Sequence, residues 1–272
     1  VIPRAHIAQW RSLGHTWQSD AMVEQDLMIS TIIVSLFSDR ELRGSFLFRG
    51  GTALHKLFLD RPHRYSEDID LVQQTPGPIG PQFDRIRELL QDRFGDPRRK
   101  VGPDVATLVY RMDSEDVPPV PLRVKVEINT REHRPVMRTE HRRLEVRSRW
   151  FNAATDVPVY QLDELLATKL RALYQRRKGR DLFDLGLALR HLAVNPRRLC
   201  QVFHRYMQAY GHAVTAAVFR TNLEAKLGHR GFLTDCAPLV SPGTPTDPSA
   251  DYELLDRMVL SELDAAGDVE GP

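Results

Sequence analysis

The chain is poor in cysteine, with Cys200 and Cys236 the only two in 272 residues. They stand far apart and in neither a redox nor a metal-binding spacing, which excludes a disulfide framework and points to a reducing compartment with both thiols buried and free. Long apolar runs are also missing. The most apolar stretch, Ile32 to Phe37, contains Ser35 and is too short to cross a bilayer. The first residues lack the charged, apolar and small-residue order of a signal peptide. No membrane partner is expected, and the cytoplasm is the expected location. A large excess of one charge sign is missing as well: a net +2 is too mild to announce a nucleic-acid binder. The ten histidines fall in no zinc spacing, so none is given a metal role.

What is present describes an ordinary globular chain. With 42% hydrophobic and 27% charged residues, neither wholesale disorder nor a fibrous class fits. The length suffices for one large domain or two modest ones, each with its own core. Basic residues cluster locally. Arg131, Arg134, Arg138, Arg142, Arg143, Arg147 and Arg149 crowd one stretch, and Lys169, Arg171, Arg176, Arg177, Lys178 and Arg180 form another. Each run reads equally as a solvated face or as a surface for a polyanion.

Periodicity orders the chain. Ser19 and Asp20 precede Val23, Leu27, Ile33, Val34 and Phe37 at near-helical spacing, which predicts an amphipathic helix to about Phe37; Ser30 interrupts its face, and Met28, Ile29 and Ile32 widen the apolar surface, so the helix is expected to be well buried and to serve packing. Phe46 to Phe48 is a brief strand-like run that stops at Gly50-Gly51. Ala53, Leu54, Leu57 and Phe58 then share one face of a short helix ended by Pro62. Ile69 and Leu71 alternate with Asp68 and Asp70, the period of a half-buried strand. A Pro/Gly loop from Gln74 to Pro81 leads to a helix from about Gln82 to Phe94. Strands follow at Ala106–Met112, Leu122–Asn129, Leu144–Trp150 and Val157–Tyr160. From Asp163 the pattern is helical, so residues 1–160 are read as one domain with leading helices and 161–237 as a second. Residues 238–272 are read as a flexible linker, Pro238 to Pro248, and a closing helix from about Tyr252 to Ala265.

Chemistry concentrates in the first domain. Asp68 and Asp70, at i and i+2 on a strand, project from one face and are close enough to share a divalent metal, although a strand end facing water also explains such a pair. Gly50-Gly51 between a strand and a helix lets backbone N–H groups approach a phosphate at the positive end of the helix dipole; a plain tight turn is the alternative. Thr52 is expected to cap that helix or to add a phosphate contact. Glu127 is a third carboxylate on the polar face of a later strand. If that strand lies beside the Asp68 strand, three acids meet, and two Mg²⁺ ions about 3.5–4 Å apart suit an in-line phosphoryl displacement. A salt bridge from Glu127 to Lys125 or Arg123 is the competing reading. In the helical half, Lys169, Lys178 and Arg180 can neutralise triphosphate charge, and Asp181 is either a helix cap or part of the centre.

Phe48-Arg49-Gly50-Gly51-Thr52-Ala53-Leu54 followed by Arg64-Tyr65-Ser66-Glu67-Asp68-Ile69-Asp70-Leu71 resembles the signature of the AbiEii/AbiGii-type nucleotidyltransferase toxins. Ala167-Thr168-Lys169-Leu170-Arg171 and Lys178-Gly179-Arg180-Asp181-Leu182-Phe183-Asp184 resemble that family's later motifs, so the likeness runs from about Val23 to Leu187. The resemblance implies an α+β fold, a polymerase-beta-like nucleotidyltransferase core joined to a helical C-terminal domain, acting as the toxin of a type IV toxin–antitoxin system. It implies NTP as substrate, Mg²⁺ on Asp68 and Asp70, and triphosphate at Gly50, Gly51 and Thr52, with Arg180 added as a nucleotide-binding candidate on its charge. Lys169 and Asp181 would complete the centre, while Glu127 is marked by no tight motif. RNA, with the tRNA 3′ end foremost, is the implied acceptor, and a cognate antitoxin the implied partner. A transferase with a small-molecule acceptor and a non-catalytic binding protein of the same fold are the competing readings.

Overall fold

The computed structural model describes residues 2–267, so residue 1 of the expected first domain and residues 268–272 of the expected closing segment lie outside the described residues. The chain divides into two compact units, Val1–Tyr160 and Gln161–Pro272.

The first unit runs α1 (Arg4–Ser12), α2 (Asp20–Ser38), α3 (Arg40–Ser45), β1 (Phe46–Arg49), α4 (Gly50–Leu57), β2 (Asp68–Gln73), α5 (Gly80–Phe94), β3 (Arg98–Val101), β4 (Val105–Asp113), β5 (Pro121–Asn129), β6 (Glu140–Arg147) and β7 (Asn152–Val159). Its strands form one mixed sheet in the order β3-β4-β5-β2-β1-β7-β6. Two parallel pairings, β2 with β5 and β1 with β7, place strands distant in sequence side by side, and the remaining pairs are antiparallel. Strict alternation divides the centre of this sheet. Ile69 and Leu71 of β2 and Val126 and Ile128 of β5 are buried, and helix α2 packs on both strands. Asp68, Asp70, Lys125 and Glu127 take the opposite face.

Helix α2 starts where the sequence indicates, with the Ser19 hydroxyl accepting from the Met22 N–H. It is well buried, as expected, and the burial extends to polar residues: Glu24, Gln25, Asp26 and Ser30 are enclosed with the apolar ones. Glu24 accepts the Ile2 and Glu115 N–H groups, and Gln25 donates to the Arg123 carbonyl. Asp26 takes the Trp10 indole N–H at 2.9 Å and the Lys56 ammonium at 2.7 Å, with His15 at 2.9 Å. Ser30 is the polar break in the apolar face; buried, its hydroxyl donates to the Asp26 carbonyl and accepts from Lys56. By length and composition α2 would reach across a bilayer, yet most of it is enclosed in the unit. Internal partners for each of these polar groups make a core helix of it. Helices α1 and α3 and strand β3 are not among the expected elements, although Ile7 and Trp10 of α1, buried at i and i+3, carry a helical signal. All four residues of β3, three of them basic, are exposed on the sheet edge.

The second unit comprises α6 (Leu162–Gln175), α7 (Gly179–His191), α8 (Pro196–Gln208), α9 (Ala216–Leu227), α10 (Arg230–Leu233), α11 (Pro248–Leu255), a π turn (Asp256–Leu260) and α12 (Ser261–Gly267). The closing helix begins at Pro248 rather than near Tyr252. Asp247 accepts from the Ser249 and Ala250 N–H groups, and Pro248 occupies a first-turn position that needs no donor. Helix α11 packs on α7, and α12 on α8. Both cysteines are buried and neither is in a disulfide; Cys200 donates to the Val259 carbonyl of the π turn, and burial pushes its thiol up to about 12.

Candidate active site

The end of β1 sets the geometry. Arg49 lies opposite Asp70 in the antiparallel register, and the next residue, Gly50, turns into α4 with φ of 83°. A Cβ at Gly50 would sit 2.0 Å from Asp70 Oδ2 and 2.8 Å from Asp70 Cβ, so glycine is demanded both by the left-handed conformation and by the proximity of the carboxylate. At Gly51 a Cβ would meet the buried Arg64 guanidinium at 2.3 Å. The first turn of α4, directly beside Asp70, receives no side-chain cap among the described residues.

Thr52 does not cap the helix. It is buried, and its hydroxyl lies 2.5 Å from the Asp68 carbonyl, to which it donates, and 2.8 Å from the Ser66 hydroxyl. The side chain thus bolts the first turn of α4 to the start of β2 and is not presented to a ligand.

Strand β5 lies beside β2, as a three-acid site requires. The parallel register sets Asp70 opposite Glu127 and Asp68 opposite Lys125. Lys125 Nζ stands 2.9 Å from Glu127 Oε1 and 3.3 Å from Asp68 Oδ1, with both acids about a third exposed. Burial works against the Lys125 charge, but the hydrogen bonds and charges of Glu127 and Asp68 outweigh it and hold the ammonium above its ordinary value. The salt bridge anticipated as the alternative for Glu127 is therefore formed, and it reaches Asp68 as well. Arg49 pairs with Glu132 at 2.9 Å. Its guanidinium is held above the ordinary value because Tyr160, Glu132 and Asp70 together outweigh the cost of burial. Among the described residues no three carboxylate, imidazole or thiol groups converge tightly enough to cage a cation. The donor chemistry nonetheless fits Mg²⁺, which binds through one or two carboxylates and completes its shell with water and substrate phosphate.

The sequence-predicted residues of the second unit meet one another there. Lys169 Nζ lies 3.2 Å from Asp181 and 3.0 Å from Asp184, both carboxylates being fully buried. Arg176 grips Asp181 with a two-pronged contact at 2.7 and 2.9 Å. These cations hold the Asp181 carboxyl below the usual range although burial alone would raise it. Asp181 is not a cap: α7 is preceded by Lys178, and Asp181 sits inside the first turn. Arg180 faces Asp235, which also accepts its backbone N–H at 3.1 Å. Arg176, one member of a basic run, emerges as a structural partner of Asp181. Its separation from Asp181 by a turn hid that role.

The arginine-rich stretch is not a bare basic surface. Arg142 pairs with Glu140, Arg143 with Asp156, Arg147 with Glu145 and Arg131 with Asp104. Arg142 also lies 4.0 Å from the Phe58 ring centre. Acids on the same and the neighbouring strand cancel much of the charge that the linear count suggested.

A glycine turn into a helix, an Asp-x-Asp strand and an acid on the adjoining parallel strand, all on one mixed sheet, define a protein of the nucleotidyltransferase fold. The family model described as the nucleotidyl transferase AbiEii toxin of type IV toxin–antitoxin systems matches residues 31–257, and the chain belongs to that family of nucleotidyltransferase toxins. Among solved structures, the nucleotidyltransferase toxin MenT4 of Mycobacterium tuberculosis is similar over 100% of this chain and 91% of its own, at 16% identity and a TM-score of 0.59. JHP933 of Helicobacter pylori is similar over 92% of this chain and 96% of its own, at 16% identity and a TM-score of 0.53. At such identity these likenesses carry the fold alone. No curated protein matches the sequence.

Proposed function

We propose that the chain transfers a nucleoside monophosphate from an NTP to an RNA acceptor, with the tRNA 3′ end foremost, releasing pyrophosphate and so blocking translation and growth. The reaction would depend on Mg²⁺, take place in the cytoplasm and be restrained by a cognate antitoxin. One observation carries the reading: the parallel register that puts Glu127 opposite Asp70, with the uncapped turn of α4 pressed against the same carboxylate. Asp68, Asp70 and Glu127 would hold the metal, which supplies charge neutralisation at the triphosphate and a lowered pKa for the attacking hydroxyl. Backbone N–H groups of Gly50 and Gly51 would donate to phosphate oxygens. Thr52 serves by keeping α4 and β2 in register.

In the helical unit, enclosure of Lys169 by Asp181 and Asp184 supports a positioning role for this network, with Arg176 as its outer member. Arg180 is the less enclosed candidate for contact with substrate phosphate. The RNA acceptor rests on family membership. Pairing of the β6 arginines with acids favours the second reading, a small-molecule acceptor, strongly enough for both to be tested together. Purified protein is incubated with Mg²⁺, each α-labelled NTP, total RNA and a small-molecule extract, beside Asp70→Asn. Label in RNA from wild type alone is the expected result, label only in small molecules selects the second reading, and no transfer in any mixture refutes both.

A further inference from the structure

Lys125 lies on a strand where Arg123 and Asn129 share its face, and it is two residues from Glu127, so the pleat alone aims it at the carboxylates. Register does the rest by setting it opposite Asp68. Its ammonium spans Asp68 and Glu127 at 3.3 and 2.9 Å, occupying the ground between two of the three oxygen donors assigned above to the metal. Three carboxylates gathered on one sheet face repel one another, and a cation must offset them in every state of the protein. At the Asp70 end the Arg49 guanidinium, paired with Glu132, adds its charge, while Lys125 is the cation in contact with Asp68 and Glu127.

We propose that Lys125 is a tethered counter-cation which holds Asp68 and Glu127 in the absence of metal and competes with the divalent ion for them. Metal entry is then an exchange: the ammonium leaves both carboxylates as the ion arrives. The inference rests on the metal-dependent reading of the same acids. Its consequence is a metal site weaker than the acids alone would make, with an affinity that increases when the lysine charge is removed.

The test uses the full chain without nucleotide, and Mn²⁺ as the probe, with free ion counted by its electron paramagnetic resonance signal. Lys125→Met and Lys125→Gln should each bind Mn²⁺ about tenfold more tightly than wild type, a modest factor because both ion pairs are partly exposed and screened. Lys125→Arg, which keeps the charge, should stay near wild type. Thermal melting supplies a second readout. Without divalent ion the two neutral variants should melt below wild type, and saturating Mg²⁺ should close the gap; a merely structural lysine would leave it open. Equal or weaker Mn²⁺ binding in both neutral variants overturns the proposal and leaves the metal-dependent reading standing. A wild type that binds Mn²⁺ no better than Asp70→Asn removes both.

Discussion

Replacing Gly50 by alanine confronts the carboxylate site with the least possible added matter. The methyl group would lie 2.0 Å from Asp70 Oδ2, 2.7 Å from Cγ and 2.8 Å from Cβ. Rotation of the Asp70 side chain removes the first two conflicts but not the third, because Cβ moves only with the strand. The join between β1 and β2 must therefore open. An L-residue in the left-handed region adds about 1–2 kcal/mol, and overpacking a close contact about 1–3 kcal/mol, for a total of at least ~2 kcal/mol. At roughly 2–4 °C per kcal/mol in a domain of this size, the melting temperature should fall by about 5 °C or more. Displacement of Asp70 by a fraction of an ångström to about 1 Å should also lower nucleotide transfer on the order of 100-fold. Gly44→Ala is the internal control. It sits in α3 with nothing within 4 Å of its added carbon and should melt at or above the wild-type temperature. Scanning calorimetry and the labelled-NTP assay measure both effects. If Gly50→Ala melts and transfers like wild type, the argument that the turn is built around Asp70 is wrong.

Thr52→Val removes the donor to the Asp68 carbonyl and should cost about 1–3 kcal/mol in denaturant unfolding, whereas Thr52→Ser should retain most of the stability; equal losses would argue against the bolt. Lys169→Met takes the shared cation from two fully buried carboxylates and should destabilise the helical unit by about 3–5 kcal/mol in chemical denaturation. A stable Lys169→Met protein that loses only transfer would instead make Lys169 a direct substrate contact. Asp26 gives a pH dependence. Burial would push its carboxyl up, but Lys56 and His15 pull it well below the ordinary range. The stability it contributes is therefore complete above the unfolded value of about 3.9 and is lost as pH falls toward the folded one. Wild type should lose melting temperature steadily below that value, while Asp26→Asn should start lower and vary less over the same range.

Much of this protein was legible in the chain because the relevant signals are local. Alternation of Asp68-Ile69-Asp70-Leu71 specifies a strand with both acids on one face, since the pleat has a period of two. Gly50-Gly51 marks a break that other residues cannot adopt, and the apolar spacing around Leu165 to Leu173 specifies a helix. Polar burial is not local. That Glu24, Gln25 and Asp26 are buried on α2 follows only once their partners at Ile2, Arg123 and Lys56 are known, and those partners are brought by tertiary packing.

The same distinction divides the site. That Asp68, Asp70 and Glu127 are carboxylates on strand faces follows from sequence alone, and so does the need for glycine near them. Which strand neighbours β2, and in what register, depends on a crossover that spans α5, β3 and β4, and hydrogen bonding between strands decided it. That register turned Glu127 into a companion of Asp70 and Lys125 into a bridge between Asp68 and Glu127. It also took place on a sheet whose β6 and β7 acids cancel arginines that the linear count had left as one positive run. Charge is additive along a sequence, but its field depends on distances that only the folded chain sets.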